Sequence, residues 1–205
     1  MNPFFNIYIG PMFGSKTTRL LGDIDRQRHK GKNILTIKPN IDKRYATQKI
    51  VSHSGGSVEA VCVENINDIY DLVAVGEIYD VIAVDEAFMI EDIDKVLIEF
   101  YKSGISIIVS SIQMDAGETP FQNIKNILPW ATKIDICPAV CTKCDQDAYF
   151  TKALFDIENA SQEERIGSYD LYEPRCMTHY FNEDYKWIQD LFGMKFGWKL
   201  LKLLH

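Results

Sequence analysis

Apolar residues along this chain form two kinds of pattern. Short continuous runs bounded by turn residues are typical of strands buried on both faces, whereas apolar residues at every third or fourth position are typical of the helices that cover them. The predicted strands are 5–9, 33–38, 57–63, 79–87 and 105–111, and the predicted helices are 18–30, 65–75 and 90–102. This alternation predicts an α/β fold built on a mainly parallel sheet.

The segment between the first strand and the first helix predicts a phosphate-binding loop. Loop N–H groups and a helix N-terminus attract anionic oxygens, a lysine adds a mobile cation, and a threonine hydroxyl can support Mg²⁺. The residues expected to bind ATP and its metal ion here are Gly10, Gly14, Ser15, Lys16, Thr17 and Thr18.

The order of Gly14 and Ser15 departs from the usual pattern, which has glycine directly before the lysine. If residue 15 must adopt a left-handed conformation, serine costs about 1–2 kcal/mol of strain there, which a bound nucleotide could offset. A glycine-bearing turn without a ligand therefore stays open as an alternative.

Two carboxylates, Asp85 and Glu86, end the predicted strand 79–87. Because ligands of open α/β sheets bind at the carboxyl ends of strands, we expect both acids near the phosphate loop. Asp85 can hold Mg²⁺ or its water shell, and Glu86, pointing the other way on an extended backbone, can act as a general base. The alternative is that the two acids only cap the helix that follows.

Arg44, in the polar segment after the second strand, is expected to contact phosphate unless it is only a solvated surface residue.

Two Cys/His pairs in the last third of the chain predict a Cys₃His zinc site. Cys141 and Cys144 are separated by two residues, as are Cys176 and His179, so each pair can bind a tetrahedral metal ion from one tight turn. Such a site is structural, and Cys137 is an alternative ligand. The long polar segment between the pairs is expected to form a lid whose ends the zinc ion holds.

Composition and charge limit the function further. The net charge of −7 argues against non-specific nucleic-acid binding, and no apolar run reaches the ~20 residues of a membrane span. Without a recognisable signal peptide, we expect a cytoplasmic protein with reduced or metal-bound cysteines.

We expect three parts, an ATP-binding domain (1–136), a zinc-binding domain (137–180) and a helical extension (181–205) that packs on the core or on another subunit.

Taken together, these segments resemble the zinc-containing thymidine kinases. The resemblance runs from about Ile7 to His179 and rests on the order and spacing of several motifs. The motifs are IGPMFGSKTTRLL, KPNIDKRY, VIAVDEA, TPF, AVCTKC with AYFTKAL, and IGSYDLYEPRCMTH. The resemblance implies a RecA-like P-loop domain, a zinc-ribbon lasso that closes over a nucleoside, and commonly a homotetramer.

The resemblance also implies roles for individual residues. Lys16 and Thr17 would bind the phosphates and Mg²⁺, Asp85 would lie on the metal side, and Glu86 would be the base for the nucleoside 5′-hydroxyl. Arg44 would lie near the phosphates, and the four zinc ligands would be those named above. The residues implied to bind the nucleoside are Met12, Phe121, Gly167, Ser168 and Tyr172.

Two departures from the family concern the base pocket. Ala87-Phe88-Met89 follow the two acids where family members have a glutamine, and Ala116 stands where a base-stacking phenylalanine is usual. The leading hypothesis is an ATP-dependent thymidine 5′-kinase. The alternatives are a kinase for a modified pyrimidine deoxynucleoside, a catalytically silent zinc-ribbon binding module, and an ATPase without a nucleoside substrate.

Overall fold

A computed structural model of the chain describes residues 2–41, 48–74, 77–155 and 171–181. Its strands are β1 (Phe5–Ile9), β2 (Ile34–Pro39), β3 (Lys49–Val51), β4 (Ser57–Glu59), β5 (Val61–Val63), β6 (Val81–Val84), β7 (Ser106–Ser111), β8 (Lys133–Ile136), β9 (Ala139–Val140), β10 (Asp147–Ala148), β11 (Phe150–Ala153) and β12 (Tyr172–Arg175). Its α-helices are α1 (Lys16–His29), α2 (Ile66–Ala74), α3 (Ile93–Lys102), α4 (Gln122–Ile127) and α5 (Met177–Phe181). Two 3₁₀ turns cover Ala87–Met89 and Leu128–Trp130.

The central sheet has six strands in the order β5-β2-β6-β7-β1-β8, and neighbouring strands pair in parallel throughout. The predicted α/β fold with a mainly parallel sheet is therefore confirmed. Strand β7 lies between β6 and β1, so the segments that follow these three strands leave the same edge of the sheet side by side. That edge carries the candidate site.

Apolar layers cover both faces of this sheet because its strands alternate their side chains between them. On β6, for example, Ile82 and Val84 join the layer that contains α2, α3 and α4. Val81 and Ala83 join the opposite layer, which contains α1 and the β3–β4 hairpin. All four side chains are buried, which explains why this strand reads as a continuous apolar run.

The predicted strand 57–63 is wrong in one respect, since it is divided at Ala60. Its first part is β4, which pairs antiparallel with β3, and its second part is β5 at the edge of the main sheet. The Ala60 N–H donates to the carbonyl oxygen of Gln48 at 3.0 Å, which fixes the corner between the two. The hairpin packs over α1 through Ile50 and Val58.

A small lobe follows the sheet, and we call residues 139–155 and 171–181 the cysteine lobe. It contains the antiparallel pairs β9–β10 and β11–β12 and the short helix α5. The division of the chain into three domains stays a prediction, and its C-terminal extension lies outside the described residues. Within the described ranges, the helices are too short or too polar to cross a membrane.

Candidate functional site

The loop between β1 and α1 has the left-handed backbone that the sequence analysis considered. Ser15 has φ 56° and ψ 23°, and Phe13 also has a positive φ of 66°. Gly14 serves a different purpose, since a Cβ atom there or at Gly10 would collide with the carbonyl oxygen of Cys137. The reversed order thus places glycine where packing requires it and serine where the backbone conformation disfavours it.

Helix α1 begins at Lys16 beside this loop, and the N–H groups of its first turn have no acceptor within the helix. No described side chain caps this end of the helix. Lys16 is buried and its Nζ donates to the carbonyl oxygen of Pro11 at 2.6 Å. Thr18 is exposed and its hydroxyl lies 3.3 Å from that of Ser54 on the β3–β4 turn. An uncapped helix start with a lysine beside it suits an anionic ligand such as a polyphosphate.

Asp85 and Thr17 are brought together at the edge of the sheet, as the strand positions predicted. The Thr17 hydroxyl donates to the Asp85 carboxylate at 3.2 Å from Oδ1 and 3.3 Å from Oδ2. Ser110, near the end of β7, also donates to Oδ1 of Asp85. A carboxylate and a hydroxyl at the foot of a phosphate loop are the ligand types that Mg²⁺ or its water shell takes in nucleotide sites.

Glu86 departs from the expected extended backbone. Its φ of 49° and ψ of 44° are left-handed, and it immediately precedes the 3₁₀ turn Ala87–Met89. The side chain is partly buried. Two residues later, the Phe88 ring packs on that of Phe121 with 4.7 Å between the ring centroids. Glu86 thus directly follows β6 at the sheet edge, but on a turn and not on an extended backbone.

The residues implied to bind the nucleoside lie on different elements. Met12 lies in the phosphate loop, and its N–H donates to the hydroxyl of Thr151 in the cysteine lobe at 3.0 Å. Phe121 lies just before α4, and the buried Tyr172 lies on β12 with its ring 5.5 Å from that of Phe155. The remaining predicted residues, Arg44, Gly167 and Ser168, lie outside the described residues.

The four predicted metal ligands converge in the cysteine lobe. The ligand atoms of Cys141, Cys144, Cys176 and His179 all lie within 4.8 Å of one another. The Cys144 and Cys176 sulfurs are 3.6 Å apart, and His179 Nδ1 is 3.7 Å from the Cys141 sulfur and 3.3 Å from that of Cys176. A tetrahedral ion with metal–sulfur bonds of about 2.3 Å requires ligand separations of roughly 3.8 Å, so the cluster fits one.

The electrostatics of the cluster also suit a metal. Burial raises the pKa of the Cys141 thiol, but hydrogen bonds from the backbone N–H groups of Cys176 and Lys143 outweigh it and bring that pKa to about 6. The thiolate, which is the metal-binding form, is thereby favoured. Cys137, the alternative ligand, is not part of the cluster; its thiol donates to the Asp135 carbonyl at 3.6 Å, and burial raises its pKa.

The comparisons with known proteins agree with this geometry. A family model described as thymidine kinase matches residues 4–180. The chain belongs to the thymidine kinase family. It is similar to the thymidine kinase of Mesoplasma florum, with 30% identity over 178 residues, which cover 83% of this chain and 88% of that protein. It is also similar to that of Thermococcus kodakarensis, with 32% identity over 196 residues, covering 88% and 95% respectively.

Sequence reasoning missed three contacts in this member of the thymidine kinase family. They are the hydrogen bond of Ser110 to Asp85, that of Thr151 to Met12, and the packing of the Cys137 carbonyl on the loop glycines. A pair of serines at the end of an apolar strand was the one available signal, because a hydroxyl at a sheet edge needs a polar partner. The other two contacts join segments more than 120 residues apart in the chain and leave no local pattern.

Proposed function

We propose that this chain transfers the γ-phosphoryl group of ATP to the 5′-hydroxyl of thymidine, giving thymidine 5′-monophosphate. The observation that carries the proposal is the meeting of Thr17 and Asp85 beneath an uncapped helix start, in a chain of the thymidine kinase family. Hydrolysis or transfer of a phosphoryl group needs mainly positioning and charge stabilisation, and this arrangement offers both.

The residues of the phosphate loop would hold ATP. In this proposal Lys16 leaves the Pro11 carbonyl and pairs with the phosphate oxygens, while the N–H groups from Ser15 to Thr18 donate to them and Gly10 and Gly14 line the loop. Thr17 and Asp85 would support Mg²⁺, and Arg44 would contact the phosphates. Mg²⁺, when bound with ATP, supplies the positive charge that offsets the charge developing on the transferred group.

Glu86 would accept the proton of the nucleoside 5′-hydroxyl. Glu86 follows Asp85 directly after β6, and in this proposal the two acids take different roles, Asp85 toward the metal ion and Glu86 toward the nucleoside. The base would lie among Met12, Phe121 and Tyr172, with the backbone near Gly167 and Ser168 reading its edge.

The metal of the cysteine lobe would be zinc, with a structural role. Three thiolates and one imidazole form a complete tetrahedral set, which leaves no open position for a substrate. None of the five cysteines forms a disulfide, and a cytoplasmic location belongs to the same proposal. The ion would fix both ends of the lasso, which is the segment between β11 and β12. The domain division 1–136, 137–180 and 181–205 and a homotetramer belong to the same proposal.

The test is product formation from Mg·ATP and a nucleoside panel, with metal content measured on the same sample. Glu86→Gln should lower kcat by about 10²- to 10⁴-fold and leave thymidine binding within a few-fold, because the amide keeps the shape but cannot take a proton. Glu91→Gln, at an exposed position five residues further on, is the matched control and should behave as wild type. Wild-type turnover of Glu86→Gln would refute the base assignment.

A second candidate, a kinase for a modified pyrimidine deoxynucleoside, rests on Ala116. This residue leaves room beside the base, and its carbonyl oxygen accepts a 3.1 Å hydrogen bond from the Tyr180 hydroxyl in the cysteine lobe. Higher kcat/KM for 5-substituted deoxyuridines than for thymidine would favour this candidate. Full metal content with no nucleotide binding would favour a silent binding module, and ATP hydrolysis without nucleoside phosphorylation would favour an ATPase.

A further inference from the structure

The loop that follows β7, residues 112–121, separates Glu86 from the phosphate loop. Since β7 lies between β6 and β1, this loop leaves the sheet between Glu86 and the phosphate loop. It is closed by a β-bridge between Met114 and Pro120. Asp115 Oδ1 accepts the N–H groups of Gly117 at 2.9 Å and Thr119 at 2.8 Å, which hold its tip. Side chains at the base of the loop therefore have defined positions.

Gln113 is held from two sides. Its carbonyl oxygen accepts the N–H of Phe121 at 3.3 Å, and its side-chain Nε2 donates to the carbonyl oxygen of Tyr149 at 3.0 Å. A carbonyl oxygen can only accept, so the Tyr149 contact sets the orientation of the amide and turns Oε1 the other way. Oε1 is buried, and no group in the described part of the chain donates to it.

A buried amide oxygen without a donor is unusual, because such atoms nearly always accept a hydrogen bond. The neighbours of Gln113 lead to the proposed nucleoside site. Tyr149 lies two residues before Thr151, which binds the Met12 N–H, and Phe121 packs on Phe88, two residues after Glu86. The unsatisfied acceptor thus lies where the phosphate loop, the cysteine lobe and the segment after β6 meet.

We propose that Gln113 is a substrate-binding residue whose Oε1 accepts a hydrogen bond from the nucleoside. The inference rests on the proposed function. With the 5′-hydroxyl directed to Glu86, thymidine has two further donors, the 3′-hydroxyl and the ring N3–H. Either is a neutral donor that suits an amide oxygen. An acceptor that is otherwise unsatisfied selects for nucleosides with a donor at that point and against analogues without it.

The experiment combines one variant with two analogues. We compare kcat/KM for thymidine, 3′-deoxythymidine and N3-methylthymidine in wild type and in Gln113→Met, which has a similar size and shape but no polar amide. Wild type should prefer thymidine to one analogue by about tenfold or more, the worth of one hydrogen bond in a buried site. Gln113→Met should lose the preference against that analogue and leave the kcat/KM ratio of thymidine to the other analogue as in wild type, which identifies the donor. Gln122→Met, on the exposed face of α4, is the matched control and should keep both kcat/KM ratios of wild type.

A purely structural role gives a different result. If Gln113→Met lowers kcat/KM for all three nucleosides by one common factor, the side chain acts only by holding Tyr149, and the inference is overturned. An absence of any preference in wild type overturns it as well. If Gln113→Met does not fold, Gln113→Lys decides the question, because its ammonium can donate to the Tyr149 carbonyl but offers no acceptor, so it must lose the preference against one analogue. Failure of wild type to phosphorylate any nucleoside would refute the proposed function itself.

Discussion

Ser15→Gly should stabilise this protein, although it changes a residue of the phosphate loop. Ser15 is exposed, its φ is 56°, and its hydroxyl makes no capping hydrogen bond to α1. The side chain therefore contributes little to the fold, while its Cβ atom makes this left-handed conformation strained. Glycine adopts the same conformation without that strain.

Two opposing effects determine the change in the free energy of unfolding. Removing a non-glycine residue from the left-handed region relieves about 1–2 kcal/mol of strain. Glycine also gives the unfolded chain more conformational freedom, which lowers stability by roughly 0.5–1 kcal/mol. The free energy of unfolding should thus rise by about 0.5–1 kcal/mol. For a chain of this length, such a gain corresponds to a Tm increase of roughly 1–4 °C.

The assay is urea and thermal unfolding of the nucleotide-free protein, with Ser15→Ala as the matched control. Alanine removes the same hydroxyl but keeps the Cβ atom, so Ser15→Ala should stay within about 0.5 kcal/mol of wild type. The comparison between the two variants isolates the backbone effect. A Ser15→Gly protein that is no more stable than Ser15→Ala would refute the reasoning, because strain at this position would then contribute nothing.

Two further predictions concern packing and the metal. Gly10→Ala should lower the free energy of unfolding by about 1–3 kcal/mol, because its Cβ atom would collide with the Cys137 carbonyl, whereas Gly22→Ala, in an open position on α1, should raise it by roughly 0.5–1 kcal/mol. Equal effects in urea unfolding would contradict the packing argument. Cys144→Ser should reduce bound zinc well below one ion per chain and lower Tm, while Cys62→Ser, outside the cluster, should keep the metal content of wild type in elemental analysis. Full zinc content in Cys144→Ser would exclude that ligand.

The parts of the site that the sequence predicted follow from short-range rules. Parallel strands end at one edge of a sheet, which is why Thr17 and Asp85 could be expected to meet before any strand order was known. Two-residue spacing between ligands likewise predicted the set that includes Cys141 and His179. Left-handed backbone at Ser15 was foreseeable because the usual phosphate-loop pattern has glycine there.

Other features depend on information that a local pattern does not carry. The partner of Ser110 depends on β7 lying beside β6, and strand order is not written in any one segment. The break at Ala60 was hidden because alternation continues across it, and tertiary contact with Gln48 decides where the chain turns. The left-handed conformation of Glu86 arises from the 3₁₀ turn that follows, which is too short to give a periodic signal.

The carbonyl of Cys137 has a practical consequence for building chimeras of this family. The Cys137 carbonyl packs against Gly10 and Gly14, and two residues later the chain enters β9 of the cysteine lobe. If the lobe were exchanged between two relatives at the predicted boundary after residue 136, residue 137 of one protein would pack against the phosphate loop of the other. A junction after Pro138 keeps residue 137 and the phosphate loop from the same protein, so the lobe can be exchanged without changing this contact.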